Sequence, residues 1–174
     1  TGTGRWTIEE MLEIGVGTSN VVSVGGGGTI SVGDLVLNSG NTFNLDSGGT
    51  FAIATNFIAS TDGFNWNSGG ELSVGGTLSG MDTTSLVVGG TTNPAYYLDG
   101  GRDLTLDGGT WDISGTNLVV GYDGSGSELL VKNTGTLSSA TTYIGWNTNS
   151  ANSAITISDG STWTNSEDLW VGYG

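Results

Sequence analysis

The sequence contains no cysteine and no histidine, and only three of its 174 residues are lysine or arginine. Without cysteine, neither a disulfide nor a thiolate metal site can form. Without histidine, the chain lacks the commonest general base and a common metal ligand. Its 17 acidic residues give a formal net charge of −14, which phosphate backbones and anionic lipids repel. We therefore expect no nucleic-acid binding, and no membrane insertion, because no apolar run reaches the ~18 residues of a spanning segment.

Proline is also nearly absent, whereas glycine accounts for 33 residues. A composition this rich in glycine and small polar residues indicates disorder unless it is periodic. A short pattern does recur: glycine or serine, then threonine or glutamate, then a large apolar residue. The apolar members are Ile30, Phe51, Leu72, Trp111, Leu137 and Trp163, at spacings of 21, 21, 39, 26 and 26 residues. We interpret the spacing of 39 as close to two short repeats, with one degenerate copy between them.

Two further columns of alternating apolar residues share this period. One precedes the first column and comprises Val22/Val24, Phe43/Leu45, Phe64/Trp66, Leu104/Leu106, Leu129/Val131 and Ile155/Ile157. The other follows it and comprises Leu12/Ile14, Leu35/Leu37, Leu118/Val120, Thr142/Ile144 and Leu169/Val171. Alternation of this kind is typical of a strand with one buried face. Three columns therefore predict three strands in every repeat.

The predicted fold is an all-β parallel β-helix, or β-solenoid, with three strands per coil, about seven coils and right-handed winding. One coil cannot bury its apolar face alone, but stacked coils share a continuous core. We expect a single domain, with repeats near 6–29, 30–50, 51–71, 72–110, 111–136 and 137–162 and an incomplete repeat at 163–174. Equivalent positions should stack into ladders. One ladder would contain Thr29, Thr50, Thr110, Thr136 and Thr162, and another Asn44 and Asn65.

The stretch 5–15 has two interpretations. Thr7 and Glu10 have the spacing of a helix capping box. The same stretch also overlays the last repeat, with Trp6, Leu12 and Ile14 matching Trp163, Leu169 and Val171. We favour a coil, because agreement with the global repeat outweighs local propensity.

Neither end of the sequence shows an obvious cap. We therefore expect either a window of a longer solenoid or ends that neighbouring molecules cover, and head-to-tail contacts that do not close produce a filament. The candidate residues for end-to-end assembly are Trp6, Ile8, Leu12, Leu169 and Val171.

Four stretches, 48–51, 108–111, 117–121 and 160–172, carry a resemblance to a known family. With these motifs the sequence resembles the autotransporter-associated β-strand repeat proteins. These are secreted or surface-anchored bacterial proteins, some of which carry a C-terminal PEP-type sorting signal. The resemblance implies a β-solenoid and an extracellular or cell-surface location. It implies no catalytic residue, because the repeat is structural.

The chemical candidates are few. Arg102 lies among Asp99, Asp103 and Asp107, which brings to mind the basic residue of polysaccharide lyases on parallel β-helices. We favour a corner arginine that neutralises an acidic turn. The segment 123–126 places an aspartate in a glycine-rich turn, but both the EF-hand pattern and the β-roll nonapeptide are missing. We therefore expect no cofactor, calcium being the one ion considered.

Aromatic residues form the remaining candidate surface. Tyr122, Trp146 and Tyr173 each follow a glycine that ends the third column, and Val119, Tyr143 and Trp170 occupy the outward position of that column. An exposed strip of this kind can contact sugars or a neighbouring molecule. Alternatively, it is a stacked ladder that stabilises the coils. Four other tryptophans, Trp6, Trp66, Trp111 and Trp163, are predicted to fill the core.

The leading hypothesis is a structural extracellular protein that is not an enzyme. It would be a subunit or segment of a head-to-tail stacked surface fibre or layer, with self-association into a homopolymer. The alternative is an adhesin or glycan-binding passenger segment that contacts glycans or a host surface through Tyr122, Trp146, Tyr173 and Trp170. A third hypothesis is a polysaccharide-active enzyme.

Overall fold

The computed structural model describes residues 3–15, 17–55, 57–59, 63–67, 70–76, 78–79, 83–88 and 91–174. Within these ranges the chain forms twenty β-strands and no helix. The first ten are β1 (Arg5–Ile14), β2 (Val21–Val24), β3 (Thr29–Leu37), β4 (Thr42–Leu45), β5 (Thr50–Ile53), β6 (Phe57–Ala59), β7 (Phe64–Trp66), β8 (Glu71–Val74), β9 (Leu78–Ser79) and β10 (Thr83–Val88). The others are β11 (Thr91–Leu98), β12 (Asp103–Asp107), β13 (Thr110–Ile113), β14 (Asn117–Val120), β15 (Glu128–Lys132), β16 (Thr136–Ser139), β17 (Thr142–Ile144), β18 (Ala154–Ile157), β19 (Thr162–Asn165) and β20 (Leu169–Val171).

The strands wind into a parallel β-solenoid of about six turns. We number its three faces in the order in which the chain visits them. The first face contains the first halves of β1 and β3, followed by β5, β8, β12, β15 and β18. The second face contains the second halves of β1 and β3, followed by β6, β9, β13, β16 and β19. The third face contains β2, β4, β7, β11, β14, β17 and β20.

Alternating apolar residues point inward and stack in register from coil to coil. On the first face Ile30, Phe51 and Leu72 are direct neighbours, as the period predicts. The inward residues of all three faces form one continuous buried cluster, in which the rings of Phe43 and Phe51 stack with centroids 4.3 Å apart. Each fully buried side chain of this size contributes about 1.5–3 kcal/mol to folding, so the shared core holds the coils together.

The stretch 5–14 is a strand, which confirms the coil over the helix. Its overlay with the last repeat is wrong, however. Trp6 pairs with Ile30 on the first face, whereas Trp163 lies on the second face. Trp6 is also 49% exposed because β1 is an edge strand, so it does not fill the core as expected, in contrast to the buried Trp66 and Trp111.

The predicted columns also change partners in the middle of the chain. Leu72 pairs with Leu104, not with Trp111, which lies in a separate sheet formed by β13, β16 and β19. The cause is a turn motif used at two corners: Gly-Gly-Thr precedes the first face at Thr50 and the second face at Thr110. The expected threonine ladder is therefore two ladders, Thr29–Thr50 and Thr110–Thr136–Thr162.

The spacing of 39 residues is not two short repeats. Because β8 and β12 are neighbours in one sheet, the chain passes around the axis once between them, and the count falls below the seven coils expected. Part of the extra length forms the hairpin of β10 and β11, which pair antiparallel. This hairpin is an exception to the parallel pairing of the other strands described.

The asparagine ladder is present and longer than predicted. The side-chain amide of Asn65 donates to Oδ1 of Asn44 at 2.8 Å, and that of Asn44 donates to Oγ of Ser23 at 2.9 Å. The ladder thus runs along the outside of β2, β4 and β7. It ties three successive coils together with side-chain hydrogen bonds that supplement the backbone pairing.

Close packing of backbone on backbone at the corners predicts one sharp sensitivity to substitution. A Cβ at Gly76 would overlap the carbonyl group of Thr55 in the previous coil. Gly76→Ala should lower the free energy of unfolding by about 1–3 kcal/mol, the usual effect of overpacking. Denaturant unfolding followed by circular dichroism measures this. Gly115→Ala is the control, since nothing lies within 4 Å of its Cβ position. Equal effects of the two substitutions would contradict the packing argument.

Candidate functional site

Aromatic side chains line the outside of the third face. Gly121, Gly145 and Gly172 end the strands β14, β17 and β20 in the left-handed conformation, with φ of 76°, 72° and 65°. Glycine adopts this conformation without steric cost. The next residue in each case is aromatic: Tyr122, Trp146 or Tyr173. One sequence signal therefore places a ring at the same corner of three successive coils.

The rings at this corner contact one another from coil to coil in tilted pairs. The Tyr122 and Trp146 centroids lie 6.2 Å apart at 35°, and the Trp146 and Tyr173 centroids 4.5 Å apart at 34°. Rings from the strands meet them edge-on: Tyr97 on Tyr122, Tyr143 on Trp146 and Trp170 on Tyr173, at 5.4, 4.2 and 5.3 Å. We call Tyr97, Tyr122, Tyr143, Trp146, Trp170 and Tyr173 the outer aromatic ladder.

One ring of this ladder, Tyr143, is buried, and Tyr97, Tyr122 and Trp146 are half-buried. Tyr143 is 1% exposed and Val119 fully buried, in a second apolar cluster outside the main core. Both point away from the main core as predicted, but the expectation that they form an exposed strip is wrong for them. Burial raises the pKa of the Tyr143 hydroxyl, and Tyr173 and nearby acids add to the shift. Only Trp170 and Tyr173, at the last turn, are widely exposed, at 43% and 46%.

Sequence reasoning missed Tyr97, which packs against the same cluster. Its outward alternation with the buried Leu98 was the available signal. Residues 91–98 do not follow the period of the predicted columns, so that period did not indicate an outward ring at Tyr97.

The two ends of the solenoid form the second candidate surface. At the first turn the edge strands are β1 and β2, and at the last turn they are β18, β19 and β20. Of the predicted assembly residues, Trp6, Ile8 and Leu12 lie at the first turn, with Leu12 already buried. Leu169 and Val171 lie at the last turn and are 49% and 71% exposed. Three further apolar residues that were not among the predicted assembly residues are also exposed at these ends: Met11, Val21 and Ile157.

The inward positions are mostly apolar at both ends of the solenoid. At the first turn the inward residues are Trp6 and Ile8, Leu12 and Ile14, and Val22 and Val24 on the three faces. At the last turn they are Ile155 and Ile157, Trp163 and Asn165, and Leu169 and Val171. Asn165 is the polar exception. Its Oδ1 accepts from the hydroxyls of Ser139 and Thr142, and its amide donates to backbone carbonyls.

Arg102 does not form the acidic cluster that the sequence suggested. Its Nε donates to the backbone carbonyl of Trp66 at 2.5 Å. Trp66 ends β7, where the parallel pairing of the third face stops, so the arginine satisfies an acceptor that the next strand would otherwise use. Burial lowers the pKa of Arg102, with Asp99 acting in the opposite direction. The contact is made to a backbone carbonyl, and among the described residues Arg102 has no ion pair with the aspartates of the turn that it was expected to neutralise.

The neighbouring aspartates have separate partners. Asp99 accepts hydrogen bonds from the backbone N–H groups of Tyr122 and Gly124, both at 2.9 Å. Asp107 forms an ion pair with Lys132 at 3.2 Å. These contacts hold one coil to the next.

Asp103 belongs to a column of carboxylates on the outside of the first face. It lies in register between Glu71 and Glu128. Adjacent strands are about 4.8 Å apart, and like charges placed opposite each other destabilise a sheet. Burial raises the pKa of Asp103, and Glu128 and Glu71 raise it further.

Across the described part of the chain, no group of three or more acidic side chains is arranged to hold a metal ion. Within the same ranges, no helix is long and apolar enough to cross a bilayer. Comparison with protein-family models, with curated proteins and with solved structures finds no match. The class of the protein is therefore defined by the fold itself, a parallel β-solenoid.

The outer aromatic ladder predicts a stability effect for Trp146. Its ring contacts rings in its own coil and in both neighbouring coils, so Trp146→Ala should lower the free energy of unfolding by about 2–3 kcal/mol. Trp170→Ala is the matched control and should cost below about 1 kcal/mol, because that ring is half exposed. Equal effects in chemical denaturation would show that the ladder does not stabilise the coils.

The acidic column predicts a stability that falls as the pH rises. Because the folded-state pKa of Asp103 is raised, its contribution is fully present below the unfolded value of 3.8 and is lost as the pH rises through the folded pKa. Asp103→Asn should therefore raise the free energy of unfolding at pH 7 by about 0.5 kcal/mol and flatten the decline above pH 3.8.

Urea unfolding across a pH series measures this effect. Asp112→Asn is the control, because Asp112 is exposed and lies opposite Ser138, an uncharged residue. If the two asparagine variants have the same pH profile, repulsion within the column is not the cause.

Proposed function

We propose that this chain is a structural β-solenoid, a subunit or segment of an extracellular surface fibre or layer that grows by head-to-tail stacking. The observation that carries the proposal is the match between the two ends. Among the described strands, β1 and β2 at one end and β18, β19 and β20 at the other have no strand on their outer side, and apolar residues occupy most of the inward positions at both ends.

The stacking geometry is that of the solenoid itself. In a head-to-tail junction, β1 of one copy would pair with β18 and β19 of the next, and β2 with β20. This parallel arrangement would place Trp6 and Ile8 on Ile155 and Ile157, and would bring Val22 and Val24 onto Leu169 and Val171. The apolar columns of the first and third faces would then continue across the junction, whereas on the second face Ile14 would meet the polar Asn165.

The energetics favour such a contact. Unpaired strand edges are templates for further strands, and an exposed side chain such as Val171 gains about 1.5–3 kcal/mol on full burial. Association costs about 4–15 kcal/mol in lost translational and rotational freedom. Several apolar residues and three strand edges at each end together offset a cost of this size.

The extracellular and bacterial parts of the proposal rest on the resemblance to autotransporter-associated β-strand repeat proteins. The composition supports it through a surface with few cations and many acids. No catalytic role is proposed. The glycan-binding alternative retains one supporting observation, the exposed pair Trp170 and Tyr173 at the last turn, and it stays a prediction.

Charge placed at the junction tests the stacking. Val171→Lys puts a cation into an inward column at the open end, where the monomer tolerates it because Val171 is 71% exposed. Thr164→Lys makes the same change of charge at an outward, exposed position of β19. Negative-stain microscopy and sedimentation at high protein concentration should show end-to-end rods for the wild type and Thr164→Lys, and dispersed particles for Val171→Lys.

Dispersed wild-type monomers under all conditions would overturn the proposal. Rods formed equally well by Val171→Lys would show that the contact uses another surface.

A further inference from the structure

We infer that head-to-tail stacking is controlled by ionic strength, through carboxylates that meet at one corner of the junction. The inference rests on the proposed function and concerns its regulation. The carboxylates belong to Glu9 and Glu10 at the first turn and to Asp159 at the last turn.

Glu9 and Glu10 lie where β1 turns from the first face to the second. The register between β1 and β3 shifts between Ile8 and Met11, so the two glutamates form a bulge at this corner. The bulge packs closely against Gly33 of the next coil. Any side chain at residue 33 would overlap the Glu10 carbonyl, because a Cβ there would clash with it. Both glutamates are exposed. They belong to the edge strand β1, whose only described partner, β3, lies on the side away from the proposed junction.

Asp159 occupies the same corner at the other end. It lies in the turn that connects β18 on the first face with β19 on the second. Its backbone has a φ of 52° and its carbonyl accepts from the Thr134 N–H at 3.0 Å, which fixes the turn against the preceding coil. The Asp159 side chain is exposed. In a head-to-tail junction, one coil rise of about 4.8 Å separates this turn from the Glu9–Glu10 bulge of the next copy.

Among the described residues, no cationic side chain lies close enough to neutralise the carboxylates that would meet at this corner. Lys132 lies at the same corner one coil earlier, but it forms an ion pair with Asp107, on the side away from the junction. Arg5 lies at the opposite end of the first-face segment of β1. The junction therefore brings three negative charges together in water.

The other acidic residues of the two ends meet no charge across the junction. Glu13 is outward on the second face, where the matching position of the last turn is Thr164. Glu167 and Asp168 lie at the next corner, where the described residues of the first turn, 15 and 17–20, are uncharged. The repulsion is therefore local to one corner. Variants that remove a charge at this corner can be compared with variants that remove a charge elsewhere, which separates the local repulsion from the effect of the net charge.

Salt screens such a repulsion over a known range. The Debye length is about 30 Å at 0.01 M ionic strength, about 10 Å at 0.1 M and about 3 Å at 1 M. The apolar columns favour stacking at every salt concentration, whereas the carboxylates oppose it only in dilute solution. The corner thus holds molecules apart at low ionic strength and allows stacking in a saline medium. Charged residues and bulges on edge strands limit pairing in the same way in other sheet proteins.

The test measures the critical concentration for rod formation by sedimentation, from about 0.01 M to about 0.5 M NaCl. For the wild type it should fall on the order of tenfold over this range. The Glu9→Gln/Glu10→Gln double variant and Asp159→Asn should assemble at low salt and depend less on salt. Asparagine tolerates positive φ, so Asp159→Asn should keep the turn.

Two controls remove one negative charge each without affecting the corner. Glu13→Gln changes the same strand and keeps an oxygen that can accept from the Asn38 amide. Asp123→Asn changes an exposed turn in the middle of the solenoid. Both should behave as the wild type. Calcium chloride at matched ionic strength should act no more strongly than sodium chloride.

The outcomes separate the two proposals. A critical concentration that does not depend on salt, or that changes equally in all four variants, would overturn the inference and leave stacking intact. A much larger effect of calcium would replace screening by cation bridging and would also overturn it. Absence of rods for every variant at every salt concentration would overturn the proposed function itself.

Discussion

In-register pairing between successive coils is the interaction on which the rest of this structure depends. Apart from the hairpin of β10 and β11, the described strands of one coil do not pair with one another, because they lie on different faces. Outside that hairpin, the backbone donors and acceptors of the described strands are satisfied by the coils on either side. The same register brings equivalent side chains together, so Ile30, Phe51, Leu72 and Leu104 form one column in the core.

This dependence makes the interruption near the middle of the chain informative. The first face continues through it without a break, from β8 to β12. On the third face, β7 and the hairpin of β10 and β11 end separate sheets, and the Arg102 side chain bonds to the carbonyl left at the end of β7. The Arg102 side chain thus supplies the hydrogen-bond donor that a neighbouring strand would otherwise provide. The solenoid tolerates the fault because the first face carries the strand pairing past it, from β8 to β12.

The same logic connects the ends with the proposed function. A solenoid coil in the interior is covered on both sides, whereas the outermost coils expose inward residues such as Trp6 and Val171. The outer aromatic ladder, by contrast, needs no partner to cover its rings. They pack against one another, and Tyr143 is buried among them. Surface that remains apolar and uncovered therefore concentrates at the ends, which is where we place assembly.

The sequence by itself determined the three-strand repeat and most strands with their inward residues, because alternation of apolar residues and glycine-rich corners are local properties. The strands β6, β9, β10 and β11 were not among those predicted. It also determined which residues stack within each half, as for Phe43 on Phe64 and Trp111 on Leu137. It located the residues at the ends and the aromatic corners that follow Gly121, Gly145 and Gly172.

Only the tertiary structure decided which strands of the first half of the chain share a face with which strands of the second half. Gly-Gly-Thr at residues 48–50 and at 108–110 is the same turn, and nothing local distinguishes the corner at which it is used. The choice is made by pairing between distant strands, β8 with β12, which depends on contacts far apart in the sequence. The burial of Tyr143 and the bond from Arg102 to Trp66 follow from that pairing, and for that reason the sequence alone did not reveal them.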